Sequence, residues 1–505
     1  MRRLEGSDAG AADDPKSSPA SASTGTTTAV NERREPGRPS RTSPRRRTPD
    51  LASVIGVAVA LLAGSIGLRS IGDNSFFTHL ETGRLLLESG VPHNDPYSFT
   101  AAGAPWVVQS WLASLVFALA DRVAGGVGIR LLTFALVAVT LWLAWRLTAP
   151  ARTLLPRLAI IGLLIVVSSN FWVPRPLLLG IALFAALLVV AQEHRDPRWA
   201  VPLLWVWVNS HGSFPLGLVA LGALALGERL DGKDPKPTLR VLAWAAVGTV
   251  LGAIGPVGPQ LLWFPVQLLG RMDILSLVVE WQSPNFSQAS ARAFLLMLVV
   301  AIVALVRHPR YRAAIPLVVF AAAALAGLRN IPLAALMFVP GIAIGFRKLG
   351  NVRGDERGPV ALGIGAIVAV VVVFVAATLL AQPSYDLSSY PVDALAWMEQ
   401  NGLGPTTRRV ATQDTTGNAI ELLQGPSAKV FLDDRYDMYP IDVMKDYLVL
   451  HAGAPGWQDV LRRHRIDCVL WSTSEVLPQL LAESPDWVRR YQDASSTVSC
   501  RRDLT

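Results

Sequence analysis

Apolar residues in this chain come in blocks of roughly 15 to 22, broken by short polar stretches. A helix of about 20 apolar residues, rising ~1.5 Å per residue, crosses the hydrocarbon core of a bilayer. Blocks at 51–71, 127–145, 155–170, 176–192, 200–209, 215–228, 240–255, 293–306, 313–328, 331–346 and 359–381 predict about eleven crossings. One further apolar stretch, Trp106 to Ala120, is short and ends at Asp121-Arg122. If it crosses, Arg146, Arg152, Arg157, Arg195 and Arg198 fall outside. If it lies along the interface as an amphipathic helix, every basic loop falls on one side. The second arrangement is expected, because it satisfies the positive-inside rule at Arg146/Arg152/Arg157, Arg195/Arg198, Lys233/Lys236/Arg240, Arg307/Arg310/Arg312 and Arg347/Lys348/Arg353/Arg357 together.

The two ends of the chain follow other patterns. Residues 1–50 are rich in Ser, Thr, Pro, Ala and Arg with no apolar period, which predicts a disordered basic cytoplasmic tail. Seven of its arginines stand between Arg33 and Arg47 against one acid, Glu35, the flank of a stop-anchor. The following span is full length with no small-residue cleavage site, so an anchor is expected here and not a secretory signal. Residues 383–505 have apolar runs of four to six residues. Arg409–Thr412, Lys429–Leu432 and Cys468–Trp471 read as strands, alternating with helical stretches at Val392–Asn401, Ile441–Leu450 and Trp457–His464. The expected architecture is mainly α: a polytopic transmembrane helix bundle (51–382), a large first extracytoplasmic loop (72–125) and a small C-terminal α/β extracytoplasmic domain (383–505).

Composition agrees. The 505 residues are 51% hydrophobic and 17% charged, against about 25% charged in soluble domains. The net charge of +8 sits mostly in loops between spans, so it does not point to nucleic acid. The only cysteines, Cys468 and Cys500, could pair in an extracytoplasmic domain or stand unpaired in strands.

The candidate chemistry sits in the expected outer segments. The loop from Gly72 to Trp111 supplies Asp73, His79, Glu81, Arg84 and Asp95. Four later segments supply Asn170-Phe-Trp-Val-Pro-Arg175-Pro, Asn209-Ser-His211-Gly, Glu280-Trp-Gln-Ser-Pro and Arg329-Asn330. Ionisable groups at membrane depth are costly, which makes them functional candidates. The sequence has no glycine-rich phosphate loop, no G-x-S-x-G elbow and no Cys/His cluster, and His79, His93 and His211 lack a zincin spacing. Carboxylates, imidazoles and arginines remain. Arginine forks bind phosphate, and a carboxylate takes the proton of an attacking hydroxyl. In the C-terminal domain, Asp433-Asp434-Arg435-Tyr436 follows an apolar run, as a ligand site or a structural ion pair.

These motifs resemble the GT-C class of integral-membrane glycosyltransferases, whose relatives include protein O-mannosyltransferases, lipid A aminoarabinose transferases and bacterial transferases of the Rgt type. The resemblance rests on Asp73…His79-Leu-Glu-Thr-Gly-Arg84, Pro92-His-Asn-Asp95-Pro-Tyr-Ser-Phe-Thr, Pro105-Trp106…Trp111, Asn209-Ser-His211-Gly212, Glu280-Trp281, Arg329-Asn330 and Val430-Phe-Leu-Asp433-Asp-Arg435-Tyr-Asp-Met-Tyr439. It covers most of 51–505 and is most similar to an uncharacterised bacterial branch. It implies an acidic residue directly after the first span, the position of Asp73, and a polyprenyl-phosphate sugar as donor. Asn74 stands where many members carry a second acid, so the resemblance does not imply a metal held by adjacent acids; a divalent metal stays open as cofactor.

The expected function is inverting transfer of a sugar from that donor to a glycan, lipid or protein acceptor on the outer face of a bacterial plasma membrane. Asp73 is the expected base. Arg175 and Arg329 are expected at the donor phosphate. His79, Glu81, Arg84, Asp95, His211, Glu280 and Asn330 are expected to bind substrate. A transporter or flippase of lipid-linked precursors, or a non-catalytic envelope scaffold, are the alternatives.

Overall fold

The structure is a computed structural model that describes Gly25 and residues 50–504, except Leu277, Arg353, Glu356 and Arg357. The expected disordered tail, Gly25 and Asp50 apart, therefore lies outside the described residues, as do Arg353 and Arg357 of the last basic loop.

The bundle is built from α1 (Leu51–Gly64), α2 (Asn74–Ser89), α3 (Trp111–Leu147), α4 (Leu154–Ser168), α5 (Pro176–Gln192), α6 (Ala200–Ser210), α7 (Pro215–Leu230), α8 (Lys236–Leu251), α9 (Gln260–Leu269), α10 (Met272–Leu275), α11 (Ala289–Arg307), α12 (Tyr311–Ala326), α13 (Ile331–Gly345) and α14 (Pro359–Leu380). Among the described residues, six helical stretches are long and apolar enough to cross a membrane: Leu51–Leu68, Trp111–Ala151, Leu154–Phe171, Ala289–Arg307, Leu328–Gly345 and Pro359–Leu380. The other five expected crossings also fall on helices, all of them shorter: α5, α6, α7, α8 and α12. Burial separates the centre of the bundle from its rim. The stretch carrying α13 is 67% buried and α14 only 6%, so α13 is the axis and α14 turns Val360, Ile367, Val370, Val373 and Phe374 outward. Such an apolar exterior suits lipid rather than water.

The expected polar loop 72–125 contains a helix that the hydrophobic pattern does not announce. Asp73 caps α2 by accepting the Phe76 N–H at 3.1 Å, and Gly90 ends it with φ +82°. α2 packs on α3 so closely that a Cβ on Gly83 would lie 2.0 Å from the Ser114 carbonyl oxygen. The expected interfacial helix at Trp106–Ala120 starts later, at Trp111. Residues 106–110 are non-helical, and the Trp106 N–H donates to the His93 carbonyl at 2.9 Å. Trp111–Val123 is set off from the rest of α3 by a break at Ala124 and Gly125, where φ reaches +58°. A glycine adopts that backbone without penalty.

The C-terminal part contains α15 (Val392–Gln400), β1 (Val410–Thr412), α16 (Asp414–Gln424), α17 (Ile441–Ala452), α18 (Trp457–Arg463), β2 (Cys468–Ser472), α19 (Val476–Glu483), β3 (Trp487–Gln492) and β4 (Ser496–Arg501). The sheet order is β1-β2-β4-β3, with β1/β2 parallel and the other pairs antiparallel. The expected strand at 429–432 does not join this sheet. Its backbone pairs with the first loop instead: the Val430 N–H donates to the Tyr97 carbonyl at 3.0 Å and the Phe99 N–H to the Val430 carbonyl at 3.1 Å. Tyr97, Trp106 and Val108 of the loop share one apolar core with Phe431, Leu432 and Tyr439, so loop and C-terminal part fold onto each other.

Cys468 and Cys500 face each other across β2 and β4 and are bonded. The native protein is thus expected to take up no maleimide until it is reduced and denatured, and two equivalents afterwards, as read by intact mass. Labelling without reductant would refute the pairing.

Candidate functional site

The residues at the start of α2 present one polar face. Ser75, Thr78, His79 and Thr82 follow the i, i+3, i+4, i+7 spacing of a helical stripe, and all four line a cavity of about 180 Å³. Arg175, His211, Glu280 and Arg329 line the same cavity, so the four later sequence segments converge with the first loop.

Each is aimed by its local backbone. Arg175 stands between two prolines, and the residue before a proline is pushed to extended backbone; its φ is −108° and ψ 154°. From there its Nε donates to both carboxylate oxygens of Asp73, at 2.7 and 2.9 Å, and an Nη donates to Glu280. Asp73 is thus committed twice, to Arg175 and to the α2 cap, and it does not line the cavity. His211 follows α6 in extended backbone; its Nδ1 lies 2.8 Å from Ser213 Oγ and its Nε2 3.1 Å from an Arg329 Nη. Arg329 also lies over the Trp281 ring, 4.4 Å from its centroid. Among the described residues no carboxylate lies within salt-bridge distance of Arg329, whereas Arg175 has two.

His79 Nδ1 sits 3.1 Å from Ser114 Oγ. Burial, and then the nearby Arg175 charge, pull its imidazole down to about 4, so it is neutral at physiological pH.

The remaining expected residues lie elsewhere. Glu81 and Arg84 are on the other side of α2, where Arg84 pairs with Asp121 at 2.7 Å and reaches Glu81 at 3.4 Å. Burial holds the Glu81 carboxyl above its usual range despite that pair. Asp95 is fully buried and accepts from Arg435 at 2.7 Å and from the Tyr97 and Ser98 backbone. Asn330 donates to the Ala323 carbonyl at 2.9 Å and so closes the end of α12. These residues hold structure around the cavity rather than line it.

The C-terminal part adds groups that the sequence left undecided. In Asp433-Asp434-Arg435 the two readings divide between neighbours. Asp433 takes the ion pair with Arg435, while Asp434 lines the cavity with Asp437. Asp434 accepts from Ser75 Oγ and, at 2.7 Å, from Asn418 Nδ2. Burial, reinforced by Asp433, lifts its carboxyl to about 6 against the pull of these donors and of Arg175. Asn418 also donates to Thr78 Oγ1 at 2.5 Å, and Thr78 donates to Glu421, whose carboxyl burial pushes well above its usual range. The polar stripe on α2 was the available signal for this partnership, since a buried polar face needs polar partners. Among the described residues, no three His, Cys, Asp or Glu side chains converge as metal ligands.

No protein-family model matches this chain, and no curated protein matches it. The geometry must carry the functional reading. The cavity sets a guanidinium without a salt-bridged carboxylate among the described residues beside a neutral imidazole and a carboxyl that titrates at about 6, with hydroxyls of Ser75, Thr78 and Ser110 on the wall. Such a set can hold an anion at one side and accept a proton at the other.

Proposed function

We propose that this cavity transfers a sugar from a polyprenyl-phosphate donor to a hydroxyl-bearing cell-envelope acceptor, as a GT-C-type enzyme working on the outer face of a bacterial plasma membrane. The observation that carries the reading is Arg329, a guanidinium on the wall of a polar cavity with no carboxylate within salt-bridge distance among the described residues. It is a ready phosphate site. The acceptor oxygen attacks the anomeric carbon as its bond to the phosphate oxygen breaks. The hydroxyl proton passes to Asp434, and the leaving phosphate keeps the electron pair beside Arg329. Asp73, the residue first expected as base, holds Arg175 in place together with Glu280, so Arg175 shapes the wall while Arg329 carries the unpaired charge. His79 and His211, both against hydroxyl groups, orient the reactants.

Eleven crossings would put residues 72–125 and the C-terminal domain outside and the N-terminus inside. The disulfide supports that side for the domain, because such bonds persist outside the reducing cytosol. The transporter alternative expects a polar route through the bundle. A second cavity does lie at the other end of the helices, but the two share no lining residue.

Arg329→Gln is expected to raise KM for a labelled polyprenyl-phosphate sugar roughly ten- to hundred-fold, the size of a lost charged hydrogen bond. Transfer assays on membranes read this directly, and unchanged donor KM would sink the assignment. A deletion strain should accumulate the unused lipid-linked donor.

A further inference from the structure

The second cavity is the larger, at about 630 Å³. α5 leads from Arg175 at the polar site to Gln192 at this one through 17 residues, a separation of about 25 Å. Its walls are apolar: Leu188, Leu224, Ala301, Leu317, Phe338 and Ile342. Its mouth is charged. Three acids stand there, and each already has a partner. Glu228 accepts from Arg312 Nε at 2.7 Å. Asp231 caps α12 by accepting the Tyr311 and Arg312 backbone N–H groups at 2.8 and 3.1 Å. Asp234 accepts the Lys236 N–H at 3.0 Å.

The cations at the mouth are not matched in the same way. Lys233, Arg310 and Arg347 line the cavity, and none has a carboxylate within salt-bridge distance among the described residues. His308 lines the same mouth, where desolvation and then Arg347, Arg310, Lys348 and Arg307 hold its imidazole below the ordinary range.

An apolar cleft between apolar helices with unmatched cations at its mouth complements an amphiphile with an anionic head. A free phosphate would satisfy the mouth and leave the walls uncovered, while an uncharged chain would do the reverse. We propose that this cavity is a binding site for one anionic phospholipid, its phosphate head at Lys233, Arg310 and Arg347 and an acyl chain between α11, α12 and α13. The site does not depend on the sugar-transfer reading; only the leaflet it faces does.

Gly341 lines the same space, and a Cβ there would meet only the Ala313 Cβ, at an ordinary 3.5 Å. A larger side chain at Gly341 therefore has the cavity to enter. The test is native mass spectrometry of the full-length protein, stripped of lipid in neutral detergent. It is titrated with phosphatidylglycerol, with phosphatidylcholine of the same chains, and with inorganic phosphate. One phosphatidylglycerol is expected to stay bound, at least tenfold more tightly than phosphatidylcholine. Arg310→Gln with Arg347→Gln should weaken it tenfold or more. Gly341→Phe should abolish it without lowering the melting temperature of the lipid-free protein. Equal retention of both lipids, inorganic phosphate displacing the lipid at equal concentration, or both variants binding like the parent chain would overturn the proposal.

Discussion

Asp434→Asn is expected to lower sugar transfer by about 10²- to 10⁴-fold, the usual contribution of a general base, with the donor KM little changed. The expectation follows from where the carboxyl sits. It lines the cavity with His79, Arg175 and Arg329, and burial places its pKa at about 6. Above that value it is ionised and able to take a proton, so kcat/KM should fall tenfold per pH unit below about 6, and the residual activity of the variant should lack that limb. The stability sign runs the other way. A carboxyl raised above its unfolded value favours the folded state at low pH, and this contribution is lost as pH rises through about 6. The asparagine variant should therefore be no less stable at pH 7 to 8, which separates a chemical defect from unfolding. Asp73→Asn should cost less, about tenfold, because it loosens Arg175 without removing the proton acceptor. If Asp73→Asn abolishes transfer while Asp434→Asn keeps both rate and acid limb, the base is Asp73.

The helical bundle was legible because each segment carries a continuous apolar run. α2 was not, because its apolar residues are few and its buried face is partly polar: Thr78 and Thr82 are buried beside Phe76, Phe77 and Leu80. The same geometry explains which loop residues reach the cavity. His79 and Glu81 are two apart and so point to different sides of a helix. Sequence proximity grouped them, and the helix separated them. Arg175, His211 and Arg329 could be gathered from sequence because each interrupts an apolar run at the same expected end of a span, and Glu280 because it stands in the long segment expected on that same side. Asp434 could not be paired with Ser75, since 359 residues separate them and no local pattern encodes a contact at that range. β3 was missed for a different reason. It is an edge strand that exposes Arg489 and Arg490 in succession, which breaks the alternation that marks a strand and guards the edge.

Arg435→Met is expected to destabilise the fold by about 3–5 kcal/mol, the cost of removing one member of a buried ion pair. Arg435 is buried between the first loop and the C-terminal part and serves both. Its Nε and one Nη donate to Asp433 at 2.9 and 2.6 Å, and the same Nη donates to Asp95 at 2.7 Å. The Trp106 and Tyr97 rings enclose the guanidinium, with centroids 4.5 and 4.8 Å away. Methionine fills much of the volume but leaves two buried carboxylates without a counter-charge. Lysine should not restore the site, because one ammonium cannot reproduce the planar fork across both acids. The local consequence reaches the cavity, since Asp434 is the next residue and the Val430 backbone bonds to Tyr97 in the same seam. Hydrogen exchange should therefore open first at 95–99 and 430–436, and transfer should fall with it. Adding Asp95→Asn to Arg435→Met removes one stranded charge and should recover part of the lost melting temperature. A variant whose melting temperature and exchange match the parent protein would show that this seam does not hold the two parts together.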